Sequence, residues 1–273
     1  AMDAMHMQET AQAQAEFKLS LTGLEDLGPG WAYEGWLIVD GKPVTTGVFT
    51  IDASGKPSAT SFSVLASDLS AATTFALTIE PSPDSDPAPS PVHVLGGDFN
   101  GKTAELSVGH SAALGNDFAQ ATGGYILAAP SAGSGGSYMT GIWWLDPAAG
   151  PGASLNLPAL PDGWVYEGWI VGANGPVSTG RFTSASEADS DGAGPTAGPN
   201  AAPPFPGQDF VNPVVNLIGA TVVISIEPEP DNSPAPFALK PLVDKAVDDT
   251  GQGEVLQAME NNAGSFPTGT VTR

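Results

Sequence analysis

The sequence predicts an all-β protein, two similar β-sandwich-like units from an internal duplication, with few short helices. Three observations carry that expectation. The stretch "GPGWAYEGWLI" (28–38) returns far down the chain as "PDGWVYEGWIV" (161–171). Aromatic and branched residues in both copies alternate with polar or small ones at period two, the mark of a strand. Glycine and proline number 34 and 26 among 273 residues, a composition that favours turns and short strands over long helices.

The chain opens on "AMDAMHM", which reads as a vector-derived scar, followed by the polar, alanine-rich start expected of a mature exported chain; residues 1–15 are assigned to this tail. The first β repeat with its connecting strands is expected over 16–149. In "WAYEGWLIV" Trp31, Tyr33, Gly35 and Leu37 share one face, and Ala32, Glu34, Trp36 and Ile38 the other. Asp40-Gly41 then supplies a hairpin turn, and 44–51 the returning strand. "SVLASDLSAAT" is a weak helix candidate, and "TTFALTIE" is a strand stopped by Glu-Pro, because proline cannot extend a central ladder. "KTAELSVG", "GGYILAAP" and "TGIWWLD" add strands, and "SAGSGGSY" (131–138) reads as a flexible hairpin loop.

The second repeat is expected over 150–247. Aligning 28–50 with 161–183 needs no gap and gives 12 identities in 23 positions. A second block, "ALTIEPSPDSDPAP" (76–89), returns as "VISIEPEPDNSPAP" (223–236). Two blocks in one order predict a duplicated domain. In the second copy Asn174-Gly175 is expected in the hairpin turn, and the spacing between blocks is 14 residues longer, which places a Gly/Pro/Asp loop insertion at 184–210. "GEVLQAMENN" near the end reads as a helix inside a partly mobile tail, 248–273.

Thirty acids against eight bases give a net charge of −22, which repels phosphate backbones and excludes nucleic acid as a partner class. It also matches anionic membranes poorly. Solubility in a harsh medium accounts for it. With no cysteine there is no disulfide, thiol nucleophile or thiolate metal site, and no apolar run reaches the roughly 20 residues that span a bilayer. An extracytoplasmic location, periplasmic, cell-surface or secreted, is expected, a setting in which a removed leader or an upstream anchor would lie outside this chain. His6, His93 and His110 lack zinc spacing, and no nucleophile elbow, P-loop or dinucleotide fingerprint is present.

The order "YEGWLI…GKPVTTGVFT…FALTIEPSPDSDPAP" resembles the extracytoplasmic C-terminal domain of anti-sigma-K factors. That resemblance rests on Tyr33, Trp36, Gly41, Pro43, Gly47, Phe49, Glu80 and Pro81 in the first copy. In the second it rests on Tyr166, Trp169, Pro176, Gly180, Phe182, Glu227 and Pro228. It implies a β fold, an extracytoplasmic setting and no enzymatic activity. It does not imply sigma-factor binding here, because the helical sigma-binding segment and transmembrane helix of the family have no counterpart in the sequence. A non-enzymatic binding or sensing module follows, with an unidentified protein or glycan as partner.

The candidate binding residues are Trp36, Trp169, Trp143 and Trp144 with Glu34 and Glu167. Tryptophans stack on sugar rings, so an exposed set would make a carbohydrate-binding or adhesion module; core packing competes with that reading. Paired carboxylates across a cleft serve glycosidases, but strand glutamates also satisfy backbone donors and face water. Arg181 in the second copy stands where the first has Val48, so no base is repeated beside the glutamates. No catalytic residue or organic cofactor is assigned. The one metal candidate is "EADSDG", where Glu187, Asp189 and Asp191 match the opening of a calcium loop. A solvated acidic loop competes with it, since the twelfth position is Gly198 and only Asp209 is at hand to complete the set.

Overall fold

The structure is a computed structural model that describes residues 12–148, 150–231 and 233–273. Residues 1–11 of the expected N-terminal tail, with His6, lie outside the described residues. The rest of that tail runs directly into a strand.

The first part of the chain forms β1 (Gln14–Thr22), β2 (Trp31–Val39), β3 (Lys42–Phe49), β4 (Ser61–Leu65), the short helix α1 (Ala66–Ala71), β5 (Thr74–Pro81), β6 (His93–Asn100) and β7 (Thr103–Ser107). A middle part adds β8 (Thr122–Leu127), β9 (Gly141–Trp143), β10 (Leu145–Asp146), β11 (Gly152–Ala153) and β12 (Leu155–Asn156). The last part forms β13 (Trp164–Gly172), β14 (Gly175–Phe182), β15 (Gly207–Asp209), β16 (Thr221–Pro228), β17 (Leu239–Asp244), β18 (Gln257–Ala258), β19 (Glu260–Asn261) and β20 (Thr268–Thr272). The all-β expectation holds.

An eight-stranded antiparallel sheet runs β3-β2-β5-β6-β7-β20-β1-β4. Its edge strands β3 and β4 are consecutive in the chain, and the sheet curls into a nearly closed barrel. Inside it, Phe17 stacks on Phe62 at 5.4 Å and Tyr33 on Phe49 at 5.8 Å. A five-stranded sheet, β14-β13-β16-β17-β19, repeats the β3-β2-β5 arrangement, with Tyr166 stacked on Phe182 at 5.6 Å. Strands β12-β8-β9-β15 form a further sheet, with β18 also paired to β8. Buried residues of both halves join in one continuous apolar core.

The strand pairing groups the chain differently from the expected boundaries. Strands β8 and β9, placed with the first repeat at residues 16–149, pair with β18 and β15 of the later part. The segment 248–273, expected as a tail, supplies β18, β19 and β20, and β20 lies between β7 and β1. "GEVLQAMENN" is not a helix. Glu254 sits at φ 60°, the Gln257 side chain bonds both backbone groups of Asp248, and the Met259 amide donates to Gly123. Pairing with β8 outweighs helix propensity there. Helix α1 falls where the weak helix signal placed it.

The repeated hairpins share a bulge. Asp40-Gly41 turns with both residues at positive φ, 49° and 74°, as a two-residue hairpin of primed type requires. The equivalent turn in the second half is Ala173-Asn174, one residue before the expected pair, with Gly175 at φ 91° opening β14. Between Gly35 and Trp36 the β2–β3 register slips by one, leaving Thr46 as the extra residue; Thr179 is its counterpart in β14. Thr46 and Thr179 turn inward, and the motif glycines make room for them. A Cβ on Gly35 would lie 2.5 Å from Thr46 Oγ1 and 2.7 Å from the Phe75 ring, and one on Gly168 would lie 2.6 Å from the Trp144 ring. Gly35→Ala and Gly168→Ala are each expected to destabilise the fold by about 1–3 kcal/mol through overpacking. Equilibrium urea unfolding of the two variants checks this; an unchanged midpoint in either refutes the account of that glycine.

Candidate functional site

The bulge decides which side chains meet on the outer face of each repeat. Glu34 lies opposite Thr78 of β5, and Glu167 opposite Ser225 of β16. Because the register has slipped, Thr45 and Ser178 come to this same face, and each donates its hydroxyl to the neighbouring glutamate, Thr45 to Glu34 and Ser178 to Glu167. A second chain of bonds runs beside it. Trp36 Nε1 donates to Thr78 Oγ1 at 2.8 Å, and Thr78 donates to Glu80. Trp169 Nε1 donates to Ser225 Oγ at 2.8 Å, and Ser225 donates to Glu227. Each terminal glutamate then closes the loop that follows its strand. Glu80 accepts the Ser90 amide at 2.8 Å, and Glu227 accepts the Phe237 amide at 2.8 Å, ten residues along in both cases. Burial raises Glu80 and Glu167 above the usual carboxylate range.

The two halves differ in how they balance charge. Among the described residues, Glu34–Glu80–Asp84 and Glu167–Glu227–Asp231 each bring three carboxylates within 4.8 Å. In the second group Arg181 reaches Glu167 at 3.1 Å, Glu229 at 3.4 Å and Asp231 at 3.6 Å. In the first, Val48 takes the place of Arg181 and is exposed. Glu227 is fully buried, and among the described residues no backbone or side-chain donor reaches its Oε2 or Asp231 Oδ2 within hydrogen-bond distance. Burial pushes the Glu227 carboxyl up to about 8, and the adjoining Asp231 adds to the shift. At neutral pH the pair holds a proton, which meets both orphaned oxygens.

A cavity of about 350 Å³ lies where the halves meet, between the loop leading into β2 and the loop leaving β16. Trp31, Phe237 and several prolines form its walls, and Glu25, Asp26 and Asp231 are the charged residues in its lining. The Tyr33 hydroxyl fixes the first loop by donating to the Glu25 carbonyl at 2.8 Å; Tyr166 does the same for Pro158 at 2.6 Å. Only the first half therefore presents a carboxylate from this position. Burial raises Glu25 to about 7, with Lys240 opposing and Asp231 and Asp26 reinforcing the shift. Elsewhere the halves are in close contact: a Cβ on Gly163 would lie 2.9 Å from the Pro91 carbonyl carbon.

The predicted site residues land unevenly. Trp143 and Trp144 are fully buried, Trp36 and Trp169 are 2% exposed, and Trp164 is buried too. An exposed tryptophan platform is thus contradicted; Trp31, half-buried, lines the cavity instead. Nor do all the motif aromatics pack the apolar core. Tyr33, Tyr166 and Trp164 do, whereas Trp36 and Trp169 are buried on the hydroxyl–carboxylate face outside it. Glu34 and Glu167 fall into separate groups, so they do not face one another as a catalytic pair.

In the inserted loop Asp189 and Asp191 come together, while Glu187 is not grouped with them. Asp189 Oδ2 accepts the Gly207 amide at 2.9 Å, and burial pushes its carboxyl up to about 7. Asp209 does not reach back toward them. Fully buried, it accepts Trp143 Nε1 at 2.8 Å and both the amide and hydroxyl of Ser131. Ser131 opens the stretch read as a flexible loop and is itself fully buried. The residues missed from the sequence are Glu25, Asp84, Asp231, Thr78, Ser225, Thr45 and Ser178. A hydroxyl two places before each repeated Glu-Pro was the available signal.

Two outcomes follow from these contacts. Thr78→Val leaves Trp36 Nε1–H without an acceptor and takes from Glu80 its hydroxyl donor, leaving it the Ser90 amide alone, and is expected to cost about 1–3 kcal/mol; Thr78→Ser, which keeps the hydroxyl, should recover most of it in urea unfolding. The raised carboxyls Glu25, Asp189 and Glu227 keep protons in the folded state that the unfolded chain releases above its ordinary pKa of about 4. Stability therefore falls as pH rises from about 4 to 8. Glu227→Gln, whose amide donates to Asp231 in place of that proton, should raise Tm at pH 8.5 by ~3 °C or more and change it little at pH 5. Equal shifts at both pH values refute the shared-proton account.

Comparison with known proteins finds no similar curated protein and no similar solved structure. Among the described residues no helix is long and apolar enough to cross a membrane. A family model does match: over residues 5–93, β1 to the start of β6, this chain is similar to the family described as "Anti-sigma-K factor rskA, C-terminal".

Proposed function

We propose that the chain is a non-enzymatic, extracytoplasmic binding or sensing module of the anti-sigma-K C-terminal type, made of two copies of one β unit. The observation that carries this reading is the open cavity between two tethered loops, the one leading into β2 and the one leaving β16. Glu80 and Glu227 hold the loops leaving β5 and β16, and the Tyr33 hydroxyl holds the loop leading into β2. Such a frame keeps a pocket's walls fixed before a ligand arrives. The non-enzymatic part draws support from the four repeated glutamates, each of which accepts bonds from hydroxyls or amides of its own strands and loops. The duplication draws support from the shared bulge, the shared Trp–hydroxyl–Glu chain and the shared ten-residue loop closure.

The absence of cysteine makes location directly testable. Ser85→Cys places the one thiol of residues 1–273 on an exposed loop, to be compared with the unsubstituted protein in the full-length gene product in its native host. A membrane-impermeant maleimide should label it in intact cells. Labelling only after lysis refutes the extracytoplasmic reading.

A further inference from the structure

The cavity between the halves joins apolar walls to one sign of charge. We infer that it binds a small organic cation, an apolar body bearing an ammonium or amidinium group. This rests on the binding-module reading and specifies the ligand class for the same site.

The argument begins with the lining. Glu25, Asp26 and Asp231 contribute carboxylates, and among the described residues no lysine, arginine or histidine lines the space. Asp231 adjoins the protonated Glu227 and is largely buried, with 10% of its side chain exposed. Arg181 Nη2, 3.6 Å away, faces it from β14. A carboxylate drawn partly out of water gains from a charged hydrogen-bond donor more than from a neutral one. An anion entering the same space meets three like charges and the field of a chain at −22.

Trp31 and Phe237 supply aromatic surface to the walls, and a cation held over such a ring gains further attraction. The prolines and Ile79 complete an apolar surface suited to a hydrocarbon body. A volume of about 350 Å³ admits a small molecule of this kind and lies at the lower end of ligand pockets. The groups that act on Glu25 are Lys240, which favours its charged form, and Asp231 and Asp26, which oppose it. A bound cation acts in the sense of Lys240, so binding near pH 7 releases a proton from Glu25.

The test is calorimetry and tryptophan fluorescence with phenethylammonium, against 2-phenylethanol and phenylacetate as neutral and anionic counterparts. Phenethylammonium should bind at least ~10-fold more tightly than either, a difference of about 1.4 kcal/mol. Its heat at pH 7 should vary with the buffer's ionisation enthalpy, as proton release requires. Glu25→Gln with Asp26→Asn should weaken it by ~10-fold and abolish the buffer dependence, in a variant whose Tm at pH 5 matches the parent. Undiminished binding by that variant places the cation elsewhere on the acidic surface and overturns the inference, as does no binding of phenethylammonium at all. Tighter binding of phenylethanol or phenylacetate, weakened by Trp31→Phe, overturns the cation assignment while leaving a binding module. Labelling of Ser85→Cys only after lysis instead refutes the module's location, whatever the cation affinity.

Discussion

A one-residue slip in a hairpin governs the rest of this structure. In an unbroken ladder Thr45 and Ser178 would point inward and the following threonines outward. The bulge reverses both. It drives Thr46 and Thr179 against glycines that have no Cβ to obstruct them, and it delivers Thr45 and Ser178 to glutamates that would otherwise be buried without a hydroxyl donor. Once those glutamates are held, a polar face can be covered, and Trp36 and Trp169 can be buried there with their indole N–H groups satisfied. The four residues "YEGW" are thus four consequences of one geometry: a core tyrosine, a held carboxylate, a gap and an indole on the polar side.

This explains why buried acids persist in a chain already so acidic. An ionised glutamate in a dry environment is costly unless donors surround it. The first half meets that demand with hydroxyls and amides, the second with the same set plus Arg181 and a shared proton. The halves are alike in frame and unlike in electrostatics. That difference reaches the cavity, since Asp231 belongs both to the Arg181 cluster and to the cavity lining. Glu25, whose counterpart is Pro158, adds a second source of asymmetry. A pocket flanked by two similar units has become one-sided.

Much of the frame was legible in the sequence because it depends on local chemistry. Period-two alternation gave β2, β5, β13 and β16, Asp40-Gly41 marked the first turn, and Glu-Pro marked two strand ends. The bulge was not read from the sequence. Its one signal was a glycine inside each returning strand, Gly47 at φ 99° and Gly180 at φ 113°, which marks a bulge without saying which threonine faces the core. The tryptophans misled for a related reason: alternation puts Trp36 opposite the core, which implies exposure unless a polar network buries it. In the inserted loop alternation showed the acids but not their direction: Asp189 is drawn inward by the Gly207 amide, with Asp191 beside it. The grouping of strands failed where pairing is long-range, as with β18 against β8.

The position of β20 sets the order in which the molecule can become complete. Its partners are β1, more than 240 residues upstream, and β7, more than 150 residues upstream in register with it. The barrel of the first half therefore stays open along two strand edges until β20 has been made. Contacts of such separation slow folding, because loop-closure entropy must be met before the contacts form. A chain cut short anywhere before Thr268 lacks the strand that joins β1 to β7, so closure of the first barrel is conditional on synthesis of the entire second half.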